Sequence, residues 1–328
     1  MENINPFWVL IVGSLLLLVV SLSDSFITHN LILGDSKERL VKMLTYLSLG
    51  SLVGLTVNYV LCQTNLGHYI DPRFVSIGNI SGNSLVMAIL SGITGALATA
   101  AYLWAYNLDI DPSLVMPLRS LAVFYVVVAE AIKGTVQPLD MLLPVLLIVG
   151  GVFIGLFAGE KDKKKVYLAV VLILIVRNGL TAFGDFVSVD AINASDSVTF
   201  NFYRFLWLAI GAWTFSVLMM IYQRKIGLYI ASLFKNVKNI PWIALVMVVV
   251  FFSNGLLGRG ASETDATTLN IIMSAPILLS VVISGLVNLK WPGTFSPVEN
   301  STLRWILRGV GSLLLVFGVV LVKSLSSS

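Results

Sequence analysis

Pro144-Val-Leu-Leu-Ile-Val-Gly-Gly-Val-Phe-Ile-Gly-Leu-Phe-Ala-Gly159 is followed by Glu160-Lys-Asp-Lys-Lys-Lys165 and then by Val166-Tyr-Leu-Ala-Val-Val-Leu-Ile-Leu-Ile-Val176. Two apolar runs flank a block made wholly of charged residues, and this pattern decides the fold. A helix needs about 20 apolar residues to cross the hydrocarbon core of a bilayer. In lipid only helices and closed barrels satisfy their backbone groups. Barrel strands would alternate apolar and polar residues over roughly ten positions. These runs do not alternate, so each reads as a membrane-crossing helix and the charged block as a polar linker.

Outward from residues 160–165 the same reading recurs. Ten apolar segments are expected, at about 6–30, 40–62, 84–106, 112–133, 138–158, 166–190, 198–222, 240–260, 265–288 and 302–323. The stretch Gln63–Ser81 holds His68, Asp71, Pro72 and Arg73 and is too polar to cross. The N-terminus opens Met1-Glu2-Asn3 without a basic residue, so the first segment reads as a retained span and not as a removable signal. Composition agrees. Of 328 residues, 57% are hydrophobic and 12% charged, against roughly 25% charged in a soluble domain. The mean hydropathy is +0.92. These figures exclude a soluble enzyme, a disordered chain and a nucleic-acid binder. Cys62 is the sole cysteine, which excludes an intrachain disulfide framework.

The linker sits near the chain midpoint and divides it into residues 1–159 and 166–328, five segments each. Ser25-Phe-Ile-Thr28 aligns with Asp185-Phe-Val-Ser188, and Pro144–Gly151 aligns with Gly311–Gly318, in the same order. Five is odd, so the second half must lie upside down relative to the first. The fold class expected is an all-α membrane protein of ten transmembrane helices, built as two inverted five-helix repeats. Inverted repeats of this kind mark transporters.

Several short motifs add to this. They are Tyr102-Leu-Trp-Ala-Tyr-Asn-Leu108 followed by Asp111-Pro-Ser, Asn201-Phe-Tyr-Arg204-Phe-Leu, Ala275-Pro276-Ile-Leu-Leu, and the pair Gly311 and Gly318. Through them the chain resembles the drug/metabolite transporter superfamily in its ten-helix, EamA-like form. The resemblance implies a central cavity lined mainly by the first, third, fourth, sixth, eighth and ninth helices. It also implies a glutamate late in the fourth helix, about 13 residues after a proline, a spacing that Pro117 and Glu130 match.

Lysine and arginine are unevenly distributed. The linker side carries Lys37, Arg39, Lys42, Lys161, Lys163, Lys164, Lys165, Arg224, Lys225, Lys235, Lys238, Lys290 and Arg304, thirteen in all, against Arg73, Lys133, Arg259 and Lys323 opposite. Cytoplasmic loops concentrate such residues, which puts the linker inside and both termini outside. The resemblance implies the reverse orientation. The count carries more weight, because a bias of that size is hard to produce by chance. The net charge of +4 is then a matter of topology and needs no acidic partner.

Ionisable groups within spans are rare and usually face a cavity or a partner. The sixth segment is therefore the most informative. Asn178, Thr181, Asp185 and Ser188 follow one another at helical spacing, with Arg177 beside them and close to the midplane. A guanidinium there could hold a carboxylate or phosphate by a forked pair of hydrogen bonds. A packing role is the competing reading, although eight residues are too many for Arg177 and Asp185 to pair directly along one helix. Asp24, in the first segment, is the approximate counterpart of Asp185, one position before the residue that aligns with it. Arg119 lies some seven residues into the fourth segment, where it could face a cavity or snorkel to the interface. Asn254 and Asn270 either line a cavity or cross-link helices. Tyr102 reads as a belt aromatic or a stacking platform. Arg204 lies nearer a span end and reads as structural or lipid-facing. The candidate substrate-binding residues are thus Arg177, Asn178, Asp185, Arg119, Asp24, Asn254, Asn270 and Tyr102; the candidates for proton coupling are Asp185, Asp24 and Glu130. Gly50-x-x-x-Gly54 and Gly151-x-x-x-Gly155 permit close helix packing, and the second could serve a homodimer in place of a monomer.

His29 and His68 are the only histidines, and the sequence has no HExxH, CxxC, GxSxG or phosphate-loop motif. No cofactor, metal or enzymatic activity is expected. The expected function is a secondary transporter, integral and multi-pass in a lipid bilayer. It would move a small organic solute, anionic or zwitterionic, such as an amino acid or phosphorylated metabolite, by alternating access. A channel or membrane scaffold is the alternative, ahead of a lipid-acting membrane enzyme.

Overall fold

A computed structural model describes residues 6–27, 38–107, 142–157 and 164–262, together with Tyr125, Val128 and scattered helical residues between 283 and 321. The expected segments 112–133, 265–288 and 302–323 fall largely outside the described residues, as do most of the linker and Arg119, Glu130 and Asn270. The described chain is about 90% helical and has no strand among the described residues.

Helix α1 spans Pro6–Ile27, α2 Arg39–Cys62, the short α3 Leu66–Ile70, α4 Gly82–Asn107 and α5 Leu142–Phe157. Then come α6 at Lys164–Ala194, α7 at Ser197–Tyr222, α8 at Ile226–Asn236 and, after a 3-10 turn at Val237–Asn239, α9 at Ile240–Ser262. Five stretches among the described residues are long and apolar enough to cross a membrane: Arg39–Cys62, Gly82–Tyr102, Leu168–Ala194, Ser197–Tyr222 and Ile226–Gly260, the last taking in α8 and α9. The polar stretch 63–81 does not form a long helix. It folds as α3 and a run of turns.

Which way each helix runs can be read from its contacts. In α4 and α6, Ser84 Oγ donates to the Ala191 carbonyl at 3.3 Å, Ser91 and Ser188 share a hydrogen bond of 3.0 Å, and Tyr102 meets Arg177. Rising numbers in one helix meet falling numbers in the other, so the two are antiparallel. Trp213 Nε1 donates to the Ser48 carbonyl at 3.0 Å and Ser216 Oγ to the Leu44 carbonyl at 3.5 Å, so α7 is antiparallel to α2. Ser253 Oγ donates to the Gly13 carbonyl at 2.9 Å, and Leu10 packs on Gly260, so α9 is antiparallel to α1.

Small residues set the closest approaches. A Cβ on Gly92 of α4 would lie 2.5 Å from the Arg204 carbonyl oxygen and 2.8 Å from Trp207 Cβ. Glycine there lets α7 touch α4 backbone to backbone. Gly54 packs within van der Waals reach of Met247 and Phe205, which favours the packing reading of the Gly50–Gly54 pair.

Helix α6 is amphipathic in the sense opposite to a soluble helix. Its polar residues Asn178 and Ser188 are buried, whereas Leu168, Leu172, Val176 and Phe183 on the other side are exposed. A water-soluble fold would bury the second set and expose the first.

Stretch 63–81 is latched onto the turn between α6 and α7. Asp71 is the hub: its Oδ2 accepts from the Ser197 backbone N–H and from Arg73 Nη2, each at 2.9 Å, and its Oδ1 from the Arg73 backbone N–H and Nε. Arg73 Nη1 reaches the Ile192 carbonyl, and Arg259 Nη1 the Ile70 carbonyl, each at 3.3 Å. Burial pushes the Asp71 carboxyl up, but the Arg73 guanidinium and the backbone donors of Ser197 and Arg73 outweigh it and hold it below the ordinary range. Next to it Asp196 caps α7, accepting from the Thr199 N–H at 2.7 Å. Burial raises the Asp196 carboxyl, opposed by the Thr199 hydrogen bonds and reinforced by the Asp71 charge.

Candidate functional site

The polar stripe of α6 faces α4 and α7. Arg177 and Asn178 are both buried, and Arg177 Nη1 donates to Asn178 Oδ1 at 2.7 Å. The Arg177 guanidinium carbon lies 5.7 Å from the centroid of the Tyr102 ring, within cation–π range. Tyr102 is itself buried, on the last turns of α4. It is a platform under a cation and not a belt residue. One turn further along α6 the Thr181 hydroxyl donates to the Arg177 carbonyl at 3.1 Å. This ties the stripe to its own backbone and leaves Thr181 a packing role. Tyr125 adds its hydroxyl, donated to the Ile175 carbonyl at 2.8 Å.

Asp185 lies two turns beyond Arg177, about 12 Å along the axis. Its partner comes from another helix: Arg204 Nη2 of α7 stands 3.9 Å from Asp185 Oδ1. This interhelical pair gives Arg204 a partner within the bundle, in keeping with the structural side of its sequence reading. It also explains how Asp185 is compensated without a direct bond to Arg177. A separation of 3.9 Å is beyond hydrogen-bond distance, so this is an ion pair without a direct hydrogen bond. Both side chains keep some access, 25% for Arg204 and 16% for Asp185. Arg177 also acts on Asp185 electrostatically. The carboxylate thus lies in the field of two guanidiniums.

The other expected residues are placed as follows. Asn254, on α9, is half-buried; its backbone carbonyl accepts from Asn201 Nδ2 at 3.2 Å, one turn before Arg204 on α7. Asn254 therefore joins α7 to α9 beside the stripe. Asp24 falls within α1, which packs on α9, but its side chain lies outside the described residues. Among the described residues no cluster of metal-ligating side chains occurs. Arg204 and Tyr125 are the members that sequence reasoning missed. The available signal for Arg204 was a cation within an otherwise apolar helix, which sufficed to flag it but not to find its partner.

Compared with known proteins, the chain matches no family model and no curated protein.

Proposed function

We propose that the protein is an integral, multi-pass secondary transporter for a small anionic or zwitterionic solute, working by alternating access without a cofactor. The observation that carries this reading is the α4–α6–α7 stripe: Arg177 on the Tyr102 ring at one end, and the open Asp185–Arg204 pair at the other. Placing one buried and one partly buried guanidinium and a partly buried carboxylate among apolar helices is expensive. A tight hydrogen-bonded pair would suffice to lock helices together. A pair held at 3.9 Å leaves the carboxylate able to take a proton, and leaves the arginine able to take an acid group of a solute. The Arg177 guanidinium, stacked and oriented by Asn178, offers a second anion contact.

The helix directions support ten crossings in two inverted halves. Helices α4 and α6 are antiparallel, although two expected segments, 112–133 and 138–158, separate them; an even number of intervening crossings requires that. The apolar outer face of α6 supports the bilayer as solvent. The same arrangement is what membership in the drug/metabolite transporter superfamily would entail. We read the lysine-rich side, which carries the linker and α8, as cytoplasmic.

The test is flux of labelled amino acids and phosphorylated metabolites into proteoliposomes, with and without a pH gradient. Arg177→Ala should abolish saturable uptake. Asp185→Asn should leave solute binding but remove the stimulation by a pH gradient. Unchanged flux in both variants would overturn the site.

A further inference from the structure

Helix α8 lies where the sequence suggests only a basic loop. The chain turns sharply into it after α7: Arg224 takes a left-handed φ of 54°, and the Lys225 N–H closes back on the Met220 carbonyl at 2.9 Å. Successive turns of α8 then meet a single turn of α2. The Tyr229 hydroxyl bonds Ser48 Oγ, the Thr45 hydroxyl bonds Ser232 Oγ at 3.0 Å, and the Tyr46 hydroxyl donates to Asn236 Oδ1 at 3.2 Å. Eight residues of α8, Tyr229 to Asn236, pass over the stretch 45–48, so α8 crosses α2 and does not run along it.

Its three faces differ. Tyr229, Ser232, Leu233 and Asn236 form the face pinned to the bundle. Roughly a quarter-turn round, Ile226, Ile230, Phe234 and Val237 form an apolar stripe exposed to the outside, with Phe234 at 76%. Lys235 and Lys238 are exposed on the next face, and Arg224 and Lys225 stand at the start of the helix. No Asp or Glu occurs from Ser197 to Ser262. Exposed aromatics flank the helix, Tyr222 on one side and Trp242 on the other.

We infer that α8 is an interfacial helix that binds an anionic lipid leaflet. The apolar stripe enters the acyl boundary, and Arg224, Lys225, Lys235 and Lys238 contact lipid phosphates. An apolar stripe beside a face whose charges are all cationic is the pattern of a helix lying in the interface plane, and exposed Leu228 shares that second face with Lys235. A polybasic segment without acids complements the negative charge of a leaflet. The crossing point lies about two turns into α2 from Arg39, so the helix packs toward that end of the bundle, with its Tyr229 face buried and its Phe234 face exposed. The inference rests on the membrane reading above.

The full chain with Cys62→Ser, carrying single spin labels at Phe234→Cys, Lys238→Cys or Ile210→Cys, is reconstituted in nanodiscs of phosphatidylcholine and phosphatidylglycerol. Oxygen and a water-soluble nickel chelate serve as relaxation agents. Ile210, exposed in the middle of α7, is the depth reference. The label at 234 should respond to oxygen as that at 210 does, and the label at 238 to nickel. A nickel response at 234 with an oxygen response at 210 overturns the inference and leaves the membrane reading standing. A nickel response at both overturns both. A label at 234 shielded from both agents, with spin–spin coupling between copies, means that a second copy covers the stripe, and also overturns it. In a second measurement, phosphatidylglycerol should raise the thermal midpoint of the wild type. That gain should vanish in Arg224→Gln/Lys225→Gln/Lys235→Gln/Lys238→Gln; an equal gain in that variant contradicts the lipid contact.

Discussion

Asp71 shows how one carboxylate can fasten a connecting stretch. It accepts hydrogen bonds from two backbone N–H groups and a guanidinium while almost wholly buried. Hydrogen bonds to a charged group contribute about 1.5–3 kcal/mol, so Asp71→Asn should lower stability by that order at neutral pH. The sign of the pH dependence follows from its depressed titration. An unfolded aspartate titrates near about 3.9; the stabilisation by Asp71 is complete above that value and is lost as pH falls through the lower folded value. Asp196, raised in the fold, contributes oppositely: its stabilisation is complete at low pH and is lost as pH rises through its folded value. A thermal melt series below pH 4 should therefore show an acid-side decline in the wild type and a shallower one in Asp71→Asn. An equally steep decline in both would contradict the role assigned to Asp71. The sequence marked 63–81 as too polar to cross. It held no sign of what the polar groups would grip, because Ser197 and Ile192 lie more than a hundred residues away.

At the scale of elements, the contact of α4 with α7 positions the ion pair. Gly92 abuts the carbonyl of Arg204 itself, so the spacing of these two helices fixes where that arginine stands relative to Asp185. A methyl at Gly92 must push backbone apart. Gly92→Ala should destabilise by about 1–3 kcal/mol and depress flux. Gly95→Ala meets only the tip of Leu208 at 3.5 Å and should be tolerated. Equal melting of the two variants would refute the close-packing argument. The long helices were legible from apolar runs alone: α2, α4, α6, α7 and α9 begin and end within a few residues of the expected segments. Helix α8 was not, since its four nearby cations and polar inner face dilute the hydropathy of a short segment. The Asp185–Arg204 pair was also hidden. Helical spacing relates residues on one helix, whereas this pair joins two.

At the scale of the molecule, the sequence suggested ten crossings around a charged linker; among the described residues five stretches are long and apolar enough to cross, and α4 with α6, α2 with α7 and α1 with α9 are antiparallel. The polar stripe of α6 was legible because Asn178, Asp185 and Ser188 repeat at helical spacing against an apolar background, and of these Asn178 and Ser188 are buried. Arg119, Glu130, Asn270 and the side chain of Asp24 lie outside the described residues, so the described part of the candidate site comes from α4, α6 and α7. In the proposed mechanism a site between helices is presented to one side of the bilayer and then the other. Counterflow tests it most directly. Proteoliposomes are preloaded with unlabelled solute and diluted into a trace of labelled solute, with no net gradient of charge or pH. A carrier that must turn over with its site occupied should accumulate label transiently above the equilibrium level. Label that only equilibrates, at a rate unaffected by preloading, would contradict the account and favour a channel.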